Sequence, residues 1–156
     1  MRRKDREVTD PAIVEKILQE SSVCHLAMAR NNIPYVVPLN YGYIWEDDRL
    51  ILLFHSAKAG KKLDILEENP RVFFSISMGH ELIRGECPCD TSMRFSCLMG
   101  EGEAEILREA GQIREIMELF MKNYPAPPVM EWRDSLFSHM ACIRVTVTDW
   151  SCKVHP

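Results

Sequence analysis

The sequence predicts a mainly β fold with peripheral helices, an antiparallel barrel of about six strands. Three observations predict it. Several segments alternate apolar and polar residues, most clearly Val23–Met28 and Ala141–Trp150. Turn-forming residues such as Arg30-Asn31-Asn32 and Glu46-Asp47-Asp48 separate neighbouring strand-like runs at hairpin distances. Helical periodicity is confined to a few short stretches between them. A barrel uses that many strands without leaving open edges. With no repeat and no interior linker, residues 1–156 are expected to form one domain.

The elements follow in order. Thr9 or Asp10 can cap a first helix, Pro11 suits its first turn, and Ile13, Ile17 and Leu18 make an apolar stripe. Val23–Met28 is a strand, and a second runs from Pro34 to Tyr43; Pro38 points to an edge or a bulge, because proline cannot donate to a ladder. Leu50–His55 is the third strand. Ala57–Glu68 reads as a helix that Asn69-Pro70 stops. Arg71–Met78 is a strand, and Gly79–Asp90 is irregular. Met93–Leu107 is a long strand in which Gly100 and Gly102 suggest a bulge or sharp bend. Glu109–Tyr124 is an amphipathic helix with Ile113, Ile116, Met117, Phe120 and Met121 on one face. Pro125–Pro128 is a break, Glu131–Ser138 a short helix, and Ala141–Trp150 the closing strand.

Composition narrows the class. Hydrophobic residues make up 46% and charged residues 27%, the proportions of a folded globular chain rather than a disordered one. The net charge of −4 disfavours nucleic acid or an acidic membrane surface as partner. No apolar run approaches the ~18 residues of a membrane span, and the charged N-terminus lacks a signal-peptide core. A cytoplasmic protein is expected. Its six cysteines then read as reduced thiols rather than a disulfide framework, with Cys24 and Cys142 in apolar surroundings.

The most informative segment is His55-Ser56-Ala57-Lys58-Ala59-Gly60-Lys61-Lys62, where a strand hands over to a helix. Free backbone N–H groups and the positive end of the helix dipole favour an anion there. Ser56 adds a hydroxyl, and Lys58, Lys61 and Lys62 add charge, so the segment suits a phosphate. The Gly-x4-Gly-Lys-Ser/Thr spacing of a Walker loop is absent. A solvated basic helix start is the plainer reading of the same residues.

Beyond these physical cues, a set of segments resembles the nitroimidazole reductase (nitroimidazole-resistance) family. They are Met1-Arg2-Arg3-Lys4-Asp5-Arg6-Glu7-Val8, Val36-Val37-Pro38-Leu39-Asn40-Tyr41-Gly42, and His55-Ser56-Ala57-Lys58-x-Gly60-Lys61-Lys62. Asn69-Pro70-Arg71-Val72, His80-Glu81-Leu82, Cys89-Asp90 and Gly100-x-Gly102-x-Ala104-Glu105 continue it in the same order. That family belongs to the pyridoxamine phosphate oxidase-like split β-barrels, which bind FMN at a homodimer interface. The resemblance implies that Val36, Val37, Pro38, Leu39 and Asn40 lie along the flavin. It sets His55 and Ser56 near the flavin and its phosphate chain, Lys61 and Lys62 on the phosphate with Lys58 beside them, and Cys97 and Leu98 against the partner's flavin. Trp150 resembles a tryptophan that approaches the cofactor in the pyridoxamine phosphate oxidases. Two positions depart from the family: Cys97 replaces a small hydroxyl residue, and Trp150-Ser151-Cys152-Lys153 replaces a Thr-Gly-Lys ending.

His55 is the expected catalytic residue, since an imidazole can hydrogen-bond and titrate near neutral pH; the alternative is a structural histidine at a strand end. Cys87-Pro88-Cys89 with His80 does not match zinc spacing, and no metal is expected. The implied function is an FMN-dependent oxidoreductase reducing small aromatic or nitroaromatic compounds, with a nicotinamide reductant using the same flavin face. A non-catalytic flavin-binding or redox-sensing module is the alternative, and a haem-handling split barrel, which resembles the His55–Lys62 segment less, is the third.

Overall fold

The computed structural model describes residues 3–125 and 131–156, so most of the proline-rich break at Pro125–Pro128 and the first two residues of the basic N-terminus lie outside the described residues. A 3-10 turn at Lys4–Arg6 leads into β1 (Glu7–Val8), then α1 (Pro11–Glu20), β2 (Cys24–Arg30), β3 (Ile33–Leu39), β4 (Gly42–Glu46) and β5 (Arg49–Ala57). The chain continues through α2 (Lys61–Glu68), β6 (Arg71–Ile83), β7 (Ser92–Leu107), α3 (Ala110–Met121), α4 (Asp134–Phe137) and β8 (Met140–His155). Asp10 caps α1, its carboxylate accepting from the Ala12 N–H at 2.9 Å, and Pro11 opens the helix as expected.

The strands form one sheet in the order β3-β2-β6-β7-β8-β5-β4, with β1 added to β8, and every pairing is antiparallel. The edges β3 and β4 are consecutive in the chain, joined through Asn40 and Tyr41. Three residue steps span at most ~11 Å. The sheet therefore curls until its two edges stand side by side at that corner without pairing, which is the split of a split β-barrel.

The expected Pro34–Tyr43 strand is thus two strands on opposite edges. Tyr41 breaks it by turning inward, 2% exposed, with its hydroxyl donating to the Leu18 carbonyl at 2.9 Å. Pro34 and Pro38 both fall on β3, which pairs only with β2, so the edge position read from Pro38 is observed. With the short β1 this split raises the strand count to eight. The expected irregular stretch Gly79–Asp90 is strand as far as Ile83, because β6 and β7 pair out to Ile83 and Ser92. The register between β7 and β8 shifts between Glu101 and Gly102, where Thr148 is the extra residue, so the bend foreseen at the glycines is a bulge. The α2 helix starts at Lys61 rather than Ala57.

Period-2 alternation decides what each strand buries. The inward row Val37–Leu26–Phe74–Gly100–Trp150 crosses five strands and packs in the main core with α1 and α2. A second core lies outside the barrel wall, where Ile51, Leu53 and Cys142 meet Ile113, Met117 and Phe120 of α3. Leu50–Phe54 are therefore buried on both faces, and β5 reads as a continuous apolar run. The outward row Val36–Ala27–Phe73–Glu101 has no such cover: Val36 and Phe73 are 53% and 43% exposed. Among the described residues no helix is long and apolar enough to cross a membrane.

Candidate functional site

The corner where β5 runs into α2 carries the expected phosphate motif. Alternation sends the last two side chains of β5 to opposite faces. His55 points outward and meets the Phe120 ring edge-on, with centroids 5.2 Å apart. Ser56 points inward, buried, and its hydroxyl donates to the Ala57 carbonyl at 2.9 Å. The hydroxyl must therefore rotate to serve an anion. Partial burial, and secondarily the charge of Lys62, hold the His55 imidazole below its ordinary pKa, which favours its neutral form.

Gly60 precedes α2 with φ +141°, and nothing lies within 4 Å of where a side chain would project. The conformation favours glycine and keeps the approach to the helix start open. No side chain caps α2, so its first N–H groups are available to an anion. Lys61 sits over the Tyr35 ring, its Nζ 4.6 Å from the centroid, which ties the helix start to β3. A cavity of about 230 Å³ opens there between the β2–β3 hairpin and α2, lined in part by Tyr35, Lys61 and Ile65. Lys58 reaches the Ser138 carbonyl at 3.4 Å, away from that cavity's lining. Arg108 pins the connecting segment, donating to the Lys58 carbonyl at 2.9 Å while pairing with Glu67.

The expected flavin strand, β3, turns Val36 and Pro38 outward and Val37 and Leu39 toward the main core. Asn40 follows it, its side-chain amide donating to the Ser22 carbonyl at 2.9 Å. Cys97 and Leu98 lie on β7 and Trp150 on β8. Counted through β8, His55 is level with Leu107, ten residues along β7 from Cys97; counted through β6 and β2, Leu98 is level with Leu39 of β3. The Leu98 side chain is fully buried in the main core, and Cys97 on the other face of β7 is buried too, with its Sγ 3.7 Å from Ser75 Oγ. Trp150 packs against the main core.

A family model described as pyridoxamine 5′-phosphate oxidase matches residues 10–154. The chain belongs to that family. Among solved structures, it is similar to a candidate 5-nitroimidazole antibiotic resistance protein of Bacteroides thetaiotaomicron, with 27% identity, a TM-score of 0.79, and coverage of 95% of this chain and 86% of that one. The flavocytochrome Anf3 of Azotobacter vinelandii is similar with 19% identity and a TM-score of 0.81, covering 100% and 72%. An FAD- and heme-binding protein of Mycobacterium smegmatis is similar with 14% identity and a TM-score of 0.82, covering 96% and 73%. At those identities the last two establish the shared fold. No curated protein sequence matches the chain.

Three contacts of this corner escaped the sequence: Phe120 on His55, Tyr35 under Lys61, and Arg108 on the Lys58 carbonyl. All join residues far apart in the chain. Only the amphipathic pattern of α3 hinted that Phe120 would face β5.

Proposed function

We propose that this member of the pyridoxamine 5′-phosphate oxidase family is an FMN-dependent oxidoreductase that works as a homodimer and reduces small aromatic or nitroaromatic compounds. The observation that carries the reading is the β5–α2 corner: an uncapped helix start, an open approach at Gly60, and Lys61 and Lys62 on the first turn. Those features fit a phosphate monoester. A bound flavin supplies redox chemistry that no protein side chain provides.

The chain's own residues have distinct tasks in this reading. Lys61, Lys62 and the helix N–H groups hold the phosphate, and Tyr35 fixes Lys61 in place. His55 is the proposed catalytic residue. As a neutral imidazole it offers one N–H donor and one acceptor nitrogen, oriented by Phe120, for a hydrogen bond at neutral pH. The edge β3 gives the ring a wall with free backbone groups. The exposed outward row of Val36, Ala27 and Phe73 and the open groove of about 390 Å³ beside it give a partner subunit an apolar surface to cover. The relative named for 5-nitroimidazole resistance supports the substrate class.

The test is the absorbance spectrum of the purified protein, followed by steady-state oxidation of a nicotinamide donor with a nitroimidazole acceptor. A flavin spectrum with acceptor-dependent turnover is the expected result. A flavin spectrum without turnover makes the protein a binding or sensing module, and a haem Soret band overturns the cofactor assignment.

A further inference from the structure

The hairpin that joins β6 to β7 ends in Arg84-Gly85-Glu86-Cys87-Pro88-Cys89-Asp90-Thr91, remote from the β5–α2 corner and unused by the proposed reaction. The loop is built, not slack. The Asp90 N–H donates to the Cys87 carbonyl at 3.1 Å, closing a turn with Pro88 and Cys89 as its central residues. The Thr91 hydroxyl donates to the same carbonyl at 3.3 Å and accepts from the Gly85 N–H at 3.4 Å. A side chain at Gly85 would lie 2.4 Å from Asp90 Cβ and 2.5 Å from its carbonyl carbon, so only glycine lets the two arms close this tightly. The Cys87 thiol donates to Asp90 Oδ2 at 3.0 Å.

We propose that Cys87 and Cys89 are a redox-active dithiol that exchanges with small-molecule disulfides of the glutathione type. A turn keeps residues three apart within about 7 Å, so Cα atoms two apart fall within the roughly 4.4–6.8 Å a disulfide spans. Pro88 holds φ near −65° and limits the arrangements of its neighbours. Both thiols are exposed, whereas Cys24, Cys97, Cys142 and Cys152 are buried. Burial pushes the Cys24 thiol up to about 12 and the Cys142 thiol to about 11, which keeps them from competing. No three His, Cys, Asp or Glu side chains converge among the described residues, so the pair is not the edge of a larger ligand cluster.

The exchange balances. Cys87, having lost its proton to solvent, attacks one sulfur of the small disulfide as the thiolate, and the first small thiolate departs and takes up a proton from solvent. Cys89 then attacks the Cys87 sulfur and expels the second small thiol. Two protein thiols lose two electrons and two protons to become one disulfide, and one small disulfide becomes two thiols. A bond closing so small a ring at an exposed site belongs to the easily reduced class, so the step runs in both directions with the surrounding redox poise.

Trypsin cleavage after Arg84 and Arg94 releases one peptide, Gly85–Arg94, that holds both cysteines and none of the other four. The full-length protein is equilibrated in glutathione buffers of rising disulfide share, quenched in acid, alkylated and digested. The expected product is this peptide without alkyl groups and two hydrogen masses lighter, returning to the dialkylated form as the buffer is made reducing. A Cys89→Ser variant, lacking the second thiol, should trap glutathione on Cys87 at roughly tenfold or more the level seen in the wild type, because the neighbouring thiol acts at high effective concentration. Dialkylated peptide at every ratio, or a glutathione adduct equally abundant in wild type and variant, overturns the proposal.

Discussion

Replacing Lys61 and Lys62 together by alanine separates the phosphate grip from every other part of the proposed flavin site. Lys61 is exposed and Lys62 half-buried, so each charge acts through solvent-screened surroundings. Two unit charges about 4 Å apart interact by about 1 kcal/mol in bulk water and about 4 kcal/mol at a typical protein surface. Taking the screened end for both lysines gives a loss of about 2 kcal/mol, or roughly 30-fold in affinity. The helix N–H groups remain, so binding weakens without vanishing. Fluorescence titration with FMN and, in parallel, with riboflavin measures it. Riboflavin shares the ring and lacks the phosphate, so its affinity should be the same in wild type and variant. Unchanged FMN binding would refute the phosphate placement. An equal fall for both ligands would show that the variant damages the pocket rather than the grip.

Other consequences are separate. Gly100→Ala would bring a methyl group to 2.2 Å from the Asp149 carbonyl and 2.9 Å from Trp150 Cα, both backbone, so thermal unfolding should show a loss of about 1–3 kcal/mol; Gly111→Ala in α3, with nothing within 4 Å, should instead stabilise by about 0.5 kcal/mol. The His55 pKa is lower folded than unfolded, so its contribution is fully present above the ordinary value of 6.5 and is lost as pH falls through the folded value; His55→Gln should flatten that part of the stability-against-pH curve, and an unchanged slope would contradict it. Lys62→Ala should move the His55 titration, followed by NMR, upward, because it removes the second cause of the depression but not the burial. Phe73→Asp on the outward row should dissociate the proposed dimer in sedimentation and weaken FMN binding with it; a monomer that keeps its flavin at full affinity would place the whole site within one chain.

The hairpins, the cap at Asp10, the apolar face of α3 and the edge nature of the Pro38 strand were legible because each rests on residues close in sequence. The break between β3 and β4 was not. Its cause is tertiary: Tyr41 is drawn inward toward the Leu18 carbonyl, and Gly42 sits where a Cβ would come 2.7 Å from Phe120 Cα. The extension of β6 to Ile83 was equally hidden, since Gly79 and His80 read as loop and only pairing with β7 holds the strand together. At the candidate site the phosphate motif was visible as a local run of residues. The opposite orientation of His55 and Ser56 follows from the same alternation that identified β5. The contacts that set the geometry, from Tyr35, Phe120 and Arg108, join positions 26, 65 and 50 residues apart, for which a linear pattern carries no signal.

That geometry also bears on why the proposed site calls for two chains. The corner at β5 and α2 offers charge for a phosphate, and β3 offers a free edge for the polar rim of a ring. What one chain lacks is a second wall. The barrel interior is filled by its own side chains, with Leu26, Phe74, Leu98 and Ile76 fully buried, so the ring cannot enter there. The strand that the family resemblance sets against the flavin, at Cys97 and Leu98, lies ten residues along β7 from the level of His55 and is separated from β3 by β6 and β2. In the proposed dimer a second copy would bring that strand to this corner. The same copy would cover the exposed row of Val36, Ala27 and Phe73, so a single association would remove apolar surface from water and complete the pocket at once. Two-fold symmetry then makes two such pockets, each with its phosphate grip from one chain and its far wall from the other.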